Sequence, residues 1–279
     1  MDSTLVTVPQ LAAHLDDPDW LILDVRHDLA DPSWGRRAYE EAHIPRALFV
    51  SLDDDLSAPP NGKNGRHPLP PPTPCAERLA RLGVAQGKQI VAYDQGPGMF
   101  AARLWWMLRW RGLDSCAVLD GGWAQWQAAG LPVSAVMETP QPAHFVPQPQ
   151  AITVDADAVL ANLSSQTMTL IDARPASRFR GENETLDPVG GHIPGSLNRP
   201  FTENLSADGT FKTAAQLRAE FAALLKEIPA SRIVHSCGSG VTACHNALAM
   251  EIAGFSSLRL YPGSWSEWCS DLVRPVERG

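Results

Sequence analysis

The chain has 279 residues, 44% of them hydrophobic and 19% charged, which is typical of folded globular domains and not of disordered, coiled-coil or collagen-like chains. Its 23 Lys and Arg residues against 31 Asp and Glu residues give a net charge of −8, which argues against a nucleic-acid or anionic-membrane partner. At one domain per about 150 residues, this length predicts two domains.

Compartment and membrane association can also be predicted from the sequence. The N-terminus has an acid at position 2 and no cationic segment leading into an apolar run, so a secretory signal is not expected. The most apolar stretch, 99–113, contains Arg103, Arg109 and Arg111 and falls short of the roughly 20 apolar residues of a membrane span. Five cysteines, an odd number in a chain of this size, fit a reducing compartment. We therefore expect a cytoplasmic protein with no membrane partner.

Short apolar runs alternate with stretches of helical spacing along the chain. Strands are predicted over 21–25, 89–93, 117–119, 169–173, 232–236 and 258–261. Helices are predicted over 76–82, 99–109, 214–225 and 241–253, and several of them end at a glycine. Such alternation predicts an α/β fold in which each domain has a mostly parallel sheet flanked by helices. Ligands then gather at the carboxyl ends of the strands.

Several sequence features occur twice in the same order, which indicates a duplicated domain. The paired segments are 21–26 with 170–174, 43–45 with 192–194, 90–94 with 233–237, and 121–126 with 263–268. Between the two copies, 137–150 contains four prolines and is predicted to be a linker without helix or central strand. The predicted domains are therefore 1–136 and 151–279.

A cysteine at the end of the predicted strand 232–236 is the strongest candidate for chemistry. Cys237 is followed by Gly238 and Gly240 and then by a predicted helix. The glycines let the loop curl so that its N–H groups point inward, and the helix adds its own free N–H groups and the positive end of its dipole. These groups are expected to stabilise a thiolate or a charged sulfur adduct, so the sequence predicts a nucleophilic Cys237.

With its tandem halves, its two His-Ile-Pro segments and its Cys-Gly-Ser-Gly-Val-Thr loop, the chain resembles the two-domain sulfurtransferases of the rhodanese superfamily. The loop is most similar to that of 3-mercaptopyruvate sulfurtransferases. The resemblance covers nearly all of the chain. It implies that the C-terminal domain is catalytic and that the N-terminal domain, with Asp94 at the position of Cys237, has lost its nucleophile.

The resemblance implies a two-step sulfur transfer without a cofactor. Cys237 would take sulfur from a donor, become a persulfide, and pass the sulfur to a thiol, cyanide or a thioredoxin-like acceptor. The residues implied to bind substrate are Arg178, Gly238, Gly240, Val241 and Thr242. The loop has no charged side chain, which favours 3-mercaptopyruvate over the dianion thiosulfate. The second substrate arginine of the family is not evident after Arg178, since residues 182–187 contain acids instead.

The related mercaptopyruvate enzymes also have an Asp, a His and a Ser proposed to move protons, and the matching positions here are Asp53, His67 and Ser239. Asp53 and His67 lie in the predicted N-terminal domain, so their participation requires an active site at the domain interface.

Other functions are disfavoured by missing patterns. The cysteines and histidines lack zinc-site spacing, so no metal is expected, and no nucleotide-binding glycine motif stands between a strand and a helix. A phosphatase of related fold would need an arginine where Ala243 stands. Two alternatives stay open, a thiosulfate:cyanide sulfurtransferase and, in a different class, a rhodanese-like binding module without catalysis.

Overall fold

The structure is a computed structural model that describes residues 1–279 and divides into two α/β units. The first unit comprises 1–58, 70–151 and 207–211, and the second comprises 59–69, 152–206 and 212–279. These units differ from the predicted domains in three ways. Residues 59–69 belong to the second unit, residues 207–211 belong to the first, and the predicted linker 137–150 packs along the first.

The segment 137–150 contains neither helix nor strand, as its four prolines predict. Instead, its backbone is hydrogen-bonded to the first unit. The N–H groups of Ala143 and Gln148 donate to the carbonyls of Ala80 and Arg111, each at 2.8 Å. The segment is therefore held along its length and does not behave as a free tether.

The first unit has a five-stranded parallel sheet in the order β1-β5-β4-β2-β3. Its strands are β1 (Leu5–Val6), β2 (Trp20–Asp24), β3 (Leu48–Phe49), β4 (Gln89–Tyr93) and β5 (Cys116–Leu119). All of β4 is buried, as expected for a central parallel strand covered on both faces. The first unit thus has the predicted sheet, although the sequence did not reveal its short strands β1 and β3.

Five helices belong to the first unit: α1 (Val8–Ala13), α2 (Trp34–Glu41), α3 (Pro72–Arg81), α4 (Met99–Trp110) and α5 (Gly122–Ala128). Helix α3 begins four residues before its predicted start because proline is well tolerated in the first helical turn. Residues 100–108 of α4 are all buried. A helix buried all round belongs to the core of a unit.

The second unit repeats this arrangement in a shorter form. Strands β6 (Thr169–Asp172), β7 (Leu197–Asn198) and β8 (Ile233–Ser236) form a parallel sheet in the order β7-β6-β8. The predicted strand 258–261 is wrong in extent, because only Leu260 forms bridges, to His235 on one side and to Thr153 on the other. Those bridges extend the sheet in the same spatial order as in the first unit.

The helices of the second unit are α6 (Ala156–Ser165), α7 (Ala176–Phe179), α8 (Ala214–Leu225), α9 (Thr242–Ile252) and α10 (Ser264–Trp268). Helix α8 has its predicted bounds, and the Thr213 and Gln216 side chains form a capping box at its start. Residues 243–250 of α9 are buried. Strand β8 therefore leads directly into a helix held in the core, which fixes the loop between them. No helix in the chain is both long and apolar enough to cross a membrane.

Candidate active site

Cys237 lies at the carboxyl end of β8, five residues before α9 begins, and only 2% of it is exposed. Gly240 has a φ of +77°, and a Cβ at this residue would collide with the carbonyl oxygen of Pro262. This left-handed turn aims the Gly240 N–H at the cysteine, with 3.2 Å between N and Sγ. The predicted inward-facing amide is therefore present at the sulfur, and only glycine fits the turn that provides it.

The loop is fixed from its other side by the start of α10. The Cys237 N–H donates to Ser264 Oγ at 3.1 Å, and this hydroxyl donates to the Tyr261 carbonyl at 2.9 Å. The N–H groups of Trp265 and Ser266 donate to the carbonyls of Cys237 and Gly238, each at 2.9 Å. Both backbone groups of the candidate nucleophile are therefore hydrogen-bonded, and its position is tightly defined.

Ser239 and His67 form a buried pair in the same unit. His67 Nδ1 lies 2.8 Å from Ser239 Oγ, and the two residues are 8% and 7% exposed. The sequence predicts that His67 lies in the N-terminal domain, but residues 59–69 pack with the second unit, which also contains Cys237. Asp53 belongs to the first unit, so its part in proton movement stays a prediction. A hydroxyl and an imidazole at this distance can exchange a proton.

Arg178 lies in α7 and is engaged by two carboxylates. Its Nε and Nη2 donate to Glu184 at 3.0 and 2.8 Å, and Nη2 also donates to Asp187 at 3.2 Å. Burial raises the pKa of Glu184, but the hydrogen bonds from Arg178 and from two backbone N–H groups outweigh it, so the pKa is lowered. For Asp187, burial dominates and raises the pKa despite the nearby arginines. Any external anion that binds Arg178 therefore competes with two internal carboxylates.

Arg66 is a functional candidate that the sequence analysis missed. Its Nη1 donates to Asp187, so one carboxylate joins Arg66 and Arg178. A methyl group at Gly238 would lie 2.8 Å from Arg66 Nη2 and 3.7 Å from Arg178 Nη1. Both guanidinium groups thus border the cysteine loop, although the loop itself has no charged residue. The only sequence signal was the position of Arg66 directly before the candidate His67.

Arg174 completes the cationic surroundings of the loop. It forms a buried bidentate pair with Asp172, with 2.7 Å between Nη2 and Oδ2, and its side chain is 1% exposed. Burial lowers the pKa of Arg174, but Asp172, Glu184 and Cys237 outweigh this effect, so the pKa is raised. The same pair recurs between Asp24 and Arg26 in the first unit, which has no cysteine at the equivalent loop. The recurrence indicates a mainly structural pair, which in the second unit lies beside the cysteine loop.

The remaining predicted loop residues lie at the start of α9. Val241 precedes the first helical residue and is 5% exposed, while Thr242 is that first residue and is half-buried. Free N–H groups at the start of a helix favour a negative charge in front of it. The arrangement can therefore hold an anionic sulfur at Cys237 and receive a carboxylate beside the loop.

The sequence pattern of the Rhodanese-like domain matches residues 7–129 and again residues 155–271. The chain belongs to the rhodanese family. A probable 3-mercaptopyruvate sulfurtransferase of Pseudomonas aeruginosa is 51% identical over 99% of this chain and 98% of that protein. A putative thiosulfate sulfurtransferase, SseB, of Mycobacterium tuberculosis is 39% identical over 99% and 97%. Among solved structures, 3-mercaptopyruvate sulfurtransferase from Leishmania major has a TM-score of 0.87 and 30% identity, covering 98% of this chain and 75% of that one.

The two rhodanese domains differ at the position of the candidate nucleophile. In the first domain Asp94 replaces the cysteine, and its buried carboxylate accepts N–H bonds from Gly96, Gly98, Phe100 and Ala101 at 2.9 to 3.3 Å. Burial raises the pKa of Asp94, and these four bonds partly offset that effect. The strand–loop–helix junction of this rhodanese fold therefore directs several backbone donors at an acidic group placed on its first residue.

Proposed function

We propose that this rhodanese-family protein is a sulfurtransferase that moves sulfur from 3-mercaptopyruvate to a thiol or cyanide through a persulfide on Cys237. The observation that carries the proposal is the Cys237 sulfur at the end of β8, with an N–H directed at it and two arginines beside its loop. Relatives named as 3-mercaptopyruvate sulfurtransferases, aligned over nearly the full chain, support the same activity.

In the first step, the Cys237 thiolate attacks the thiol sulfur of the donor. A sulfur–sulfur bond forms, the carbon–sulfur bond breaks, and its electron pair leaves on the carbon as the enolate of pyruvate, which then takes up a proton. The Ser239–His67 pair, 2.8 Å apart, is the proton source we propose. In the second step, an acceptor thiolate or cyanide attacks the outer sulfur and releases Cys237 as the thiolate.

Backbone amides stabilise both forms of the sulfur in this scheme. The Gly240 N–H already donates to Sγ. In the first domain, the N–H groups that donate to Asp94 lie in the loop before α4 and in its first turn. The equivalent residues of the second domain lie before α9 and in its first turn. A persulfide that extends from Cys237 toward the start of α9 would meet such donors, as the carboxylate of Asp94 does in the first domain. Donors fixed before the reaction lower its barrier without reorganisation.

Arg178 and Arg66 are the groups that we propose for the donor carboxylate. A guanidinium group binds a carboxylate through two parallel hydrogen bonds, as Arg178 does with Glu184. The donor would take over part of this bonding from the internal acids. Arg180 is a poorer candidate, since its exposed side chain pairs with Glu182.

Thiosulfate is the alternative donor, and the Mycobacterium tuberculosis relative named for it keeps this alternative open. The charges beside the loop favour 3-mercaptopyruvate, because the carboxylates of Glu184 and Asp187 already neutralise Arg66 and Arg178. A binding module without catalysis would not need a cysteine held as Cys237 is. The proposal also includes a cytoplasmic location, which cell fractionation would test.

Steady-state kinetics of the wild type and of Cys237→Ser with both donors test this function. We expect the wild type to have the higher kcat/KM with 3-mercaptopyruvate and the variant to have no sulfur transfer. Arg178→Ala should raise KM for 3-mercaptopyruvate more than for thiosulfate. Full turnover by Cys237→Ser would refute the proposed nucleophile, and a higher kcat/KM with thiosulfate would refute the donor while leaving the nucleophile in place.

A further inference from the structure

The side chains beside the Cys237 loop form a charge-balanced cluster. Arg66, Arg174 and Arg178 face Asp172, Glu184 and Asp187, so three guanidinium groups are matched by three carboxylates. The carboxylates are nearly inaccessible, with exposed fractions of 5% for Asp172, 5% for Glu184 and 2% for Asp187. The cluster therefore has no net positive charge to offer an anion, although it has guanidinium groups that can bind one.

Asp187 occupies a special position in this cluster because it contacts both arginines that border Gly238. One of its oxygens accepts from Arg66 and the other accepts from Arg178, at 3.2 Å. Glu184 contacts Arg178 and, at 3.6 Å, Arg174. A single carboxylate thus bridges the two guanidinium groups available to a donor. It belongs to the acidic segment 182–187.

We propose that Asp187 is a specificity-determining residue whose negative charge between Arg66 and Arg178 favours a singly charged carboxylate donor over doubly charged thiosulfate. This inference rests on the proposed sulfurtransferase function. The physical reason is that the interaction of a bound donor with the field of Asp187 scales with the charge of the donor. Removing one negative charge from the cluster therefore stabilises a bound dianion about twice as much as a bound monoanion.

A purely structural role for Asp187 would have a different consequence. If Asp187 only held the two arginines in place, its replacement would weaken the binding of both donors by similar factors. The ratio of kcat/KM for the two donors therefore separates a charge effect from a positioning effect. Asp187→Asn keeps the shape of the side chain and one acceptor oxygen while removing the charge, so it is the most direct variant.

The experiment measures kcat/KM for thiosulfate and for 3-mercaptopyruvate with the wild type, Asp187→Asn and Asp187→Glu. We expect Asp187→Asn to raise the thiosulfate-to-mercaptopyruvate ratio by about tenfold, an estimate for one charge within several ångströms of the donor. Asp187→Glu should return the ratio toward that of the wild type because it restores the charge. Glu182→Gln is the matched control, since it removes one charge from an exposed pair with Arg180 in the same segment.

An unchanged ratio in Asp187→Asn, or an equal rise in Glu182→Gln, would overturn the inference. If Asp187→Asn folds poorly, Glu184→Gln removes a charge from the same Arg178 and should raise the ratio in the same direction. Dissociation constants of pyruvate and sulfate, unreactive ions with one and two charges, give the same comparison without turnover. Failure of the proposed function would appear as absent turnover in the wild type, whereas failure of this inference would appear only in the ratios.

Discussion

Two replacements of Ser264 would separate the effect of backbone strain at this residue from the effect of its hydrogen bond to Cys237. Ser264 is fully buried with a φ of +52°, and its hydroxyl accepts from the Cys237 N–H. The equivalent residue of the first domain is Gly122, with a φ of +54°, and the next residue, Trp123, donates to the Asp94 carbonyl at 2.9 Å. The second domain thus has Ser264 in a left-handed backbone conformation, whereas the first domain has Gly122, which adopts this conformation with less strain.

Both Ser264→Ala and Ser264→Gly remove the acceptor of the buried Cys237 N–H, at a cost of about 1–3 kcal/mol in unfolding free energy. Only glycine also relieves the left-handed conformation, which costs a side-chain-bearing residue roughly 1–2 kcal/mol. Glycine also loses more conformational entropy on folding than alanine does, which offsets about 0.5–1 kcal/mol of this gain in stability. We therefore expect Ser264→Gly to be more stable than Ser264→Ala by about 0.5–1 kcal/mol, the reverse of the usual order, or about 2 °C in Tm.

Thermal and denaturant unfolding of the full chain would measure this difference, with kcat/KM recorded on the same preparations. Because both variants lose the same contact to Cys237, we expect similar losses of activity, about tenfold, despite their unequal stability. Equal stability of the two variants would refute the strain argument. Activity that follows stability, with Ser264→Gly close to the wild type, would refute the positioning of Cys237 by the hydroxyl.

Three further predictions concern buried polar groups. Ser239→Ala and His67→Ala should each lower kcat/KM for 3-mercaptopyruvate by about a hundredfold, and the double variant should lose little more, since the residues act as one pair in a double-mutant cycle. Burial lowers the pKa of His235 to about 4. The stabilisation from neutral, buried His235 is therefore complete above pH 6.5, the pKa in the unfolded chain, and is lost as the pH falls toward 4. His235→Gln should remove about 3 kcal/mol of this pH dependence from the free energy of unfolding. Asp94→Ala leaves four N–H groups without their acceptor and should lower the unfolding free energy by on the order of 3 kcal/mol, with a smaller loss for Asp94→Asn.

The parts of the fold that depend on local patterns could be predicted from the sequence. Strand β4 and helix α8 have their predicted bounds, because β4 is a short, mostly apolar run and α8 has a capping box before a regular apolar face. Short elements such as β3 and β7 have two residues each and are defined by pairing with a neighbour, so they leave no periodic signal. At 258–261 the sequence predicts too much regular structure. Its apolar residues predict a strand, but only Leu260 forms bridges with neighbouring segments.

The candidate site likewise contains some residues that could be predicted from the sequence and others that could not. Cys237 and its glycines could be recognised because strand, loop and helix follow one another within a few residues. Arg66 could not, because its contact with Asp187 joins residues 121 positions apart through a loop without periodicity. The same long-range packing brings His67 into the second unit, against the expected domain boundary. Charge balance beside the loop is thus a property of the tertiary structure and not of the loop sequence.

A persulfide on Cys237 is the intermediate on which the proposed function depends. Mass spectrometry of the protein after exposure to 3-mercaptopyruvate, followed by digestion, would locate added sulfur among the five cysteines. We predict one extra sulfur atom on the peptide that contains Cys237, lost again when a thiol or cyanide is added and absent from Cys237→Ser. Sulfur transfer without any modified Cys237 peptide, or added sulfur on another cysteine alone, would contradict the mechanism.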